Sequence, residues 1–322
     1  MHLMSYAEGH WVKGKGVPAE IASAVTGNVV ALANTDGLDM AAMLRHARDV
    51  GGPALRKMTF HQRADLLKRL GQHLSANKEA LYALSYETGA TKTDSWVDIE
   101  GGIGTLFVFA SKGKRELPNE TFAIDGAFEP LGKTGMFGGQ HIYIPREGAA
   151  VHINAFNFPI WGMLEKFAPA ILSGMPVIAK PATTSAFLAE ACAKMMVESG
   201  ILPPGAFQFI CGSVQDLFDH LGGQDMVGFT GSLDTSAKLQ SHPGILRNAV
   251  PFVAERDSLN CSILGPDATP ETPEFDLYIK EVVREMTVKA GQKCTAIRRI
   301  LVPESLADAV SSALSDRLGK IK

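Results

Sequence analysis

Apolar segments alternate with helical segments from residue 148 onward, and this alternation constrains the fold more than any other feature of the chain. The apolar segments, which are typical of strands, are residues 149–153, 176–179, 206–210, 225–229 and 250–254. The helical segments are residues 162–173, 185–199, 214–221 and 233–240. Such alternation predicts an α/β fold, in which helices cover both faces of a parallel sheet.

Residues of functional type follow four of these predicted strands. They are Asn157, Lys180, Gly231 and Glu255, and a random scatter would not place all four in this way. Ligands of parallel α/β sheets bind beyond the carboxyl ends of the strands. The sequence therefore predicts a ligand site along that edge of the sheet.

The remaining segments are predicted to add a helical layer and further strands. Residues 10–35 are predicted to be extended, with a hairpin at 10–16, and helical periodicity marks residues 38–49, 60–88 and 101–112. Residues 117–146 hold five glycines and a strand-like segment at 141–144. Beyond Glu255, we expect strands at 259–264 and 297–302, and helices at 276–289 and 304–320.

Composition argues against several classes of protein. The 322 residues include 31 basic and 34 acidic ones, with a net charge of −3, so a nucleic-acid partner is not expected. No apolar run approaches the ~20 residues of a membrane span, and no secretory signal is recognisable. The four cysteines have neither metal-binding nor disulfide-type spacing. We therefore expect a cytoplasmic protein with reduced thiols and no metal site.

Three residues together suggest acyl-transfer chemistry through a thioester. Cys294 supplies a thiol, Glu255 a carboxylate after an apolar strand, and Asn157 an amide donor. For Cys294 alone, the alternative is a buried inert cysteine. Cys261 is a second candidate nucleophile, only six residues beyond Glu255.

The order of these residues resembles the motif series of the aldehyde dehydrogenase superfamily. The matching motifs are Asn-Phe-Pro at 157–159, Lys-Pro-Ala at 180–182, Phe-Thr-Gly-Ser at 229–232, Glu255, and Gly-Gln-Lys-Cys at 291–294. Five motifs in one order make a stronger signal than any one alone, and the resemblance covers essentially the whole chain. It implies a Rossmann-type cofactor domain joined to an incomplete α/β catalytic domain.

Four further stretches resemble the PaaZ-like branch of this superfamily: residues 94–103, 153–159, 257–260 and 281–287. Members of that branch join the dehydrogenase to an enoyl-CoA hydratase domain and act in phenylacetate degradation. The superfamily commonly follows its glutamate with Leu-Gly-Gly, whereas this chain has Arg256, Asp257 and Ser258, a departure that the branch shares. The implied substrate is the CoA-linked semialdehyde of 3-oxo-5,6-dehydrosuberyl-CoA. The alternative is 3,4-dehydroadipyl-CoA semialdehyde, from benzoate degradation.

The resemblance implies a role for each member of the catalytic trio. Cys294 would be the nucleophile, Glu255 the base that activates water, and Asn157 the donor to the oxyanion. Loss of hydration at the strand end would raise the pKa of Glu255. For Glu255, the alternative is an ion pair with Arg256. For Asn157, the alternative is a turn-forming role, in which case Asn154 could be the oxyanion donor.

The resemblance also assigns the cofactor contacts. Phe229, Gly231 and Ser232 join a strand to a helix whose N-terminus favours a pyrophosphate, although a second glycine common in the family is Ser236 here. Lys180 would contact the adenosine ribose. Family members that prefer NAD often have a glutamate at the position of Thr183, so this threonine, with Lys180 and Ser185, favours NADP, with NAD possible. The alternative is that Thr183 only caps the next helix.

The resemblance further predicts the domain organisation. Residues 1–116 and 147–256 would form the dinucleotide-binding domain, residues 117–146 a strand excursion for homo-oligomerisation, and residues 257–322 the start of a catalytic domain. The family's Glu-x-Phe-Gly-Pro motif is not in this sequence. We therefore expect a fragment of a longer protein, inactive or nearly so by itself. The alternative is an inactive nucleotide-binding fragment whose role is assembly or regulation instead of catalysis.

Overall fold

The computed structural model describes residues 1–321. These form two compact units: the first unit is Met1–Glu255, and the second unit begins at Arg256 and contains the remaining described residues. No helix among the described residues is long and apolar enough to cross a membrane.

The first unit contains eleven strands and nine α-helices within the described residues. The strands are β1 (Ser5–Ala7), β2 (His10–Val12), β3 (Ala19–Ala22), β4 (Val29–Ala33), β5 (Ala123–Leu131), β6 (Phe137–Tyr143), β7 (Ala150–Ile153), β8 (Val177–Lys180), β9 (Phe207–Phe209), β10 (Met226–Thr230) and β11 (Phe252–Glu255). The helices are α1 (Met40–His46), α2 (Gly52–Arg56), α3 (Phe60–Asn77), α4 (Glu79–Ser85), α5 (Lys92–Glu116), α6 (Trp161–Leu172), α7 (Ala186–Glu198), α8 (Leu233–Gln240) and α9 (Pro243–Arg247).

A seven-stranded sheet organises this unit, in the order β11-β10-β7-β8-β9-β1-β2. Strands β7 to β11 are parallel, whereas β1 runs antiparallel to β9 and β2. Strand β7, the middle one of the five parallel strands, is buried along its whole length. Helices α3, α5, α6 and α7 pack their apolar side chains on one face of the sheet, and α1 packs on the other. The predicted α/β class with a parallel sheet is confirmed.

Three local predictions were wrong. The helix predicted at 214–221 is a single 3-10 turn, Leu217–His220. Helix α5 begins nine residues earlier than predicted, at Lys92, because Thr91 and Asp94 form a capping box there. The hairpin predicted at 10–16 instead joins β1 to β2, and Glu8 and Gly9 form its turn with positive φ at both positions, which matches the twist of the paired strands.

Strands β5 and β6 form a separate antiparallel hairpin within residues 117–146. Most of its side chains are exposed, including several large apolar ones. The second unit contains the parallel pair β12 (Asn260–Ile263) and β13 (Ile297–Leu301), with α10 (Pro273–Thr287) and α11 (Ala307–Leu318). Apolar side chains of α10 and α11 pack there around Leu264 and Ile300.

Candidate active site

The carboxyl ends of four neighbouring strands bring several predicted site residues to one edge of the sheet. In the strand register, Ile153 lies opposite both Lys180 and Phe229, and Thr230 lies opposite Glu255. The backbone N–H of Asn154 donates to the Lys180 carbonyl over 2.9 Å. Lys180, Glu255 and the segment that follows β7 therefore share the edge where such sheets bind ligands.

The segment between β7 and α6, residues 154–160, carries both candidate amide donors. Asn157 is half-buried, whereas Asn154 is almost fully buried. Neither the oxygen nor the nitrogen of the Asn154 side-chain amide has a hydrogen-bond partner among the described residues. A buried amide without hydrogen-bond partners destabilises the folded state. A bound ligand could donate a hydrogen bond to the Asn154 oxygen or accept one from its nitrogen.

Glu255 ends β11, which is one of the two edge strands of the sheet. Side chains along β11 alternate between half-buried and exposed, and both Val253 and Glu255 are on the exposed side. The expected loss of hydration at Glu255 is therefore wrong, since an edge strand is covered by a neighbouring strand on one side only. The carboxylate keeps access to water at the strand end.

Lys180 and Ser185 each have features of a group that binds an anion or a hydroxyl. Lys180 is half-buried, no carboxylate among the described residues lies within ion-pair distance of it, and burial lowers the pKa of its ammonium. The buried Ser185 hydroxyl has no hydrogen-bond partner within residues 1–321. Thr183 begins a 3-10 turn that leads into α7, and no side-chain capping bond forms at either helix start, so the capping interpretation of Thr183 is wrong.

Packing explains why the turn from β10 to α8 contains a glycine. A Cβ atom at Gly231 would lie 2.7 Å from the ring of buried Phe229, which stacks on Phe252 at a centroid distance of 6.3 Å. The Ser232 hydroxyl caps α8, since it accepts a hydrogen bond from the backbone N–H of Thr235. Ser236, at the position of the family's second glycine, is fully buried, and its hydroxyl has no hydrogen-bond partner in the described part of the chain.

Cys294 lies in the second unit, in a turn closed by a hydrogen bond from the Ala296 N–H to the Lys293 carbonyl over 3.2 Å. Its side chain is exposed. Just before it, Lys289, Ala290 and Gly291 have φ values of +53°, +53° and +74°. Two consecutive non-glycine residues in the left-handed region store strain, a feature that clusters at functional sites.

Side chains from β12, α10 and β13 hold this turn in place. The Asn260 amide donates to the carbonyls of Cys294 over 2.5 Å and Ala296 over 3.1 Å, and the Ser258 hydroxyl also donates to the Cys294 carbonyl. Lys293 forms an ion pair with Glu285, and Arg298 donates to the Gly291 carbonyl. Sequence reasoning missed Asn260 and Ser258 as supports of the nucleophile turn, although the stretch 257–260 carried part of the family resemblance.

The other three cysteines differ in environment. Cys192 and Cys211 are buried, and burial raises the pKa of both thiols, so they are poor nucleophiles. Cys261 is exposed on β12 and remains accessible to reagents.

The family model described as "Aldehyde dehydrogenase family" matches residues 11–322. The chain belongs to the aldehyde dehydrogenase family. It is 46% identical over 323 residues to 3,4-dehydroadipyl-CoA semialdehyde dehydrogenase of Aromatoleum evansii, and 27% identical over 330 residues to N-succinylglutamate 5-semialdehyde dehydrogenase of Chromobacterium violaceum. These alignments cover 100% and 98% of this chain but 62% of each relative, so the chain spans about three-fifths of the length of these relatives.

Solved structures agree with the fold. Betaine aldehyde dehydrogenase of Staphylococcus aureus, in complex with NAD+, superposes with a TM-score of 0.85 at 23% identity, covering 99% of this chain and 62% of that one. A structure described as an E. coli NADP-dependent enzyme gives a TM-score of 0.83 at 22% identity, covering 99% and 64%. The predicted aldehyde dehydrogenase fold and family are confirmed.

Proposed function

We propose that the protein to which this chain belongs oxidises a CoA-linked semialdehyde to the acid, with NADP as the hydride acceptor. The 46% identity to 3,4-dehydroadipyl-CoA semialdehyde dehydrogenase carries this proposal, because it exceeds by far the identity to the other semialdehyde dehydrogenase compared above. The ordered positions of Asn157, Glu255 and Cys294 support it, since they supply the groups that the reaction needs.

In the proposed reaction, the Cys294 thiolate attacks the aldehyde carbon and forms a thiohemiacetal. The Asn157 amide stabilises the developing alkoxide, and loss of one such donor typically lowers the rate by about 10²–10³. Loss of hydride from that carbon leaves a thioester on Cys294. Glu255 then takes a proton from water, which attacks the thioester and releases the acid and the free thiol.

The residues at the sheet edge fit a dinucleotide phosphate. Within residues 1–321, Lys180 is half-buried with no carboxylate partner and the buried Ser185 hydroxyl has no hydrogen-bond partner. Groups of this kind suit an anionic ribose phosphate. Neutral Thr183 places no negative charge against a 2′-phosphate. When the dinucleotide is bound, its nicotinamide ring would supply the hydride acceptor, while the protein contributes orientation and electrostatics. NAD is the alternative.

Two CoA-linked semialdehydes are candidate substrates. The resemblance to the PaaZ-like branch favours 3-oxo-5,6-dehydrosuberyl-CoA semialdehyde, together with a fused or associated hydratase domain in the full-length protein. The relative from Aromatoleum evansii favours 3,4-dehydroadipyl-CoA semialdehyde instead. The measurement that separates them is kcat/KM for both substrates with the full-length gene product.

The test of the proposed function compares wild-type full-length protein with Cys294→Ala, following NADPH formation with each CoA-linked semialdehyde. We expect turnover in the wild type and its loss in the variant, while Cys261→Ala, which removes the other exposed thiol, keeps the activity. Turnover that survives in Cys294→Ala contradicts the mechanism. Faster turnover with NAD than with NADP contradicts the cofactor proposal alone.

A further inference from the structure

A buried carboxylate on helix α5 contacts the segment that carries Asn157. Asp98 is almost fully buried. Its Oδ1 accepts hydrogen bonds from the backbone N–H of Ile160 over 3.2 Å and of Trp161 over 2.8 Å, and its Oδ2 lies 3.4 Å from the Ile160 nitrogen. These donors are three and four residues beyond Asn157, at the start of α6.

The N-terminus of α6 needs such an acceptor. The first N–H groups of a helix have no partner within the helix, and the residue before α6, Ile160, has no side chain that can cap it. A carboxylate there satisfies two donors and interacts favourably with the helix dipole. It comes from α5, 62 residues away in sequence from Ile160, so it joins two elements rather than closing a local turn.

Two glycines on α5 bring the helices close at the same place. A Cβ atom at Gly102 would lie 2.8 Å from the Trp161 Cα, and one at Gly101 would lie 2.3 Å from the Trp161 ring. That ring makes an edge contact with Phe158 at a centroid distance of 5.9 Å. Hydrogen bonds and packing therefore fix residues 158–161 against α5.

We propose that Asp98 is a positioning residue for the oxyanion donor: its carboxylate fixes the backbone at Ile160 and Trp161 and thereby holds the Asn157 amide in its productive orientation. This inference rests on the proposed function, in which Asn157 stabilises the alkoxide. An amide donor is effective only when it already points at the developing charge. A small displacement of the donor therefore lowers the reaction rate strongly. Asp98 itself touches no reacting atom.

The test is a double-mutant cycle in the full-length protein with Asp98→Asn and Asn157→Ala. Asp98→Asn keeps the volume but loses one acceptor oxygen and the charge. We expect it to lower kcat roughly tenfold to a hundredfold with little change in KM, because misplacement affects the transition state. In the Asn157→Ala background, the same substitution should change kcat less than about twofold, since the group that it positions is gone.

Asp94→Asn is the matched control. Asp94 lies one turn earlier on α5 and is also buried, but its carboxylate caps α5 itself by accepting from Thr91. We expect this variant to lose stability without a selective loss of kcat. Equal kcat losses from Asp94→Asn and Asp98→Asn, or a full Asp98→Asn effect in the Asn157→Ala background, overturns the proposal.

Hydrogen exchange in the 322-residue chain tests the positioning without any turnover. Asp98→Asn should speed exchange of the Ile160 and Trp161 amides, whereas Asp94→Asn should not. Unchanged exchange at both amides overturns the role of Asp98 even if the full-length enzyme is active. A wild-type protein without turnover, but with the expected exchange difference, counts against the proposed function and leaves the anchoring of this segment established.

Discussion

At the scale of single residues, His152 is a buried histidine whose environment should make the stability of the first unit depend on pH. It lies within β7, is almost fully buried, and its Nδ1 has no hydrogen-bond partner among the described residues. Burial, with a smaller contribution from the Lys166 charge, lowers the pKa of the imidazole to about 3. The folded state therefore holds His152 neutral, whereas the unfolded chain protonates it below its ordinary pKa near 6.5.

We expect this difference to destabilise the first unit as the pH falls from about 6.5 toward 3. Between those values the unfolded state binds the extra proton, so the free energy of unfolding falls, by roughly 2 kcal/mol at pH 5. His152→Gln removes that dependence. Urea titrations at pH 7 and pH 5 can follow the first unit alone, because all three tryptophans, Trp11, Trp96 and Trp161, lie in it.

The control is His141→Gln, which removes an exposed histidine from β6 and should keep the wild-type pH dependence. If the wild type and His152→Gln lose the same stability between pH 7 and pH 5, burial of a neutral His152 is not the cause. Other titrating groups are common to the two proteins and cancel in the comparison.

Residue-level prediction from sequence succeeded where strand ends dictated position. Lys180 and Glu255 end β8 and β11, as expected of polar residues that follow apolar segments, because the carboxyl ends of parallel strands meet at one edge of the sheet. Hydration of Glu255 was predicted wrongly, since the order of strands in the sheet decides which one lies at the edge, and no local pattern states that order. Asp98 was missed as a support of Asn157 for a similar reason: its partners are more than 60 residues away.

At the scale of elements, the glycines of α5 decide how closely it approaches α6. A Cβ atom at Gly102 would meet the Trp161 and Ile160 backbone at 2.8–3.1 Å, whereas one at Gly104 would meet nothing within 4 Å. We expect Gly102→Ala to lower the free energy of unfolding by about 1–3 kcal/mol, because backbone atoms cannot move aside without separating the helices. Gly104→Ala should raise it by roughly 0.5–1 kcal/mol, since alanine favours the helix.

Urea unfolding followed by tryptophan fluorescence measures both variants against the wild type. The two glycines lie only two positions apart on one helix. If their substitutions change the free energy of unfolding in opposite directions, packing and not helix propensity is the cause. A stabilising Gly102→Ala substitution would show that α5 and α6 can separate at little cost, and would also weaken the case for Asp98 as a fixed support.

Elements with a strong local signal were predicted well, and those defined by tertiary contacts were not. Helix α8 was predicted with its observed bounds, 233–240, because its N-cap serine and its periodicity both lie within the segment. The start of α5 was missed, since its first two turns mix polar and apolar residues and only the capping box of Thr91 and Asp94 marks the boundary. The turn at 217–220 has helical periodicity but closes after four residues.

At the scale of the whole molecule, the β5–β6 hairpin has the surface best suited to contact another molecule. An isolated two-stranded hairpin is marginally stable in water, yet this one exposes large apolar side chains on a nine-residue and a seven-residue strand. Ile124 and Ile142 lie directly opposite each other, 62% and 53% exposed. Contiguous exposed apolar surface of this kind marks interaction sites, and we expect a second copy of the chain to cover it.

We therefore predict that Ile124→Glu combined with Ile142→Lys converts a homo-oligomer into smaller species, with the mass measured by sedimentation equilibrium. The opposite charges form a favourable cross-strand pair, so the hairpin itself should persist while its apolar surface is lost. Leu246→Lys is the control, because it charges an equally exposed leucine on α9, outside the hairpin. A double variant with the wild-type mass would mean that the hairpin is not the interface. A monomeric wild type would mean that contacts other than those with a second copy stabilise β5 and β6, since two strands with this much exposed apolar surface do not hold together unaided.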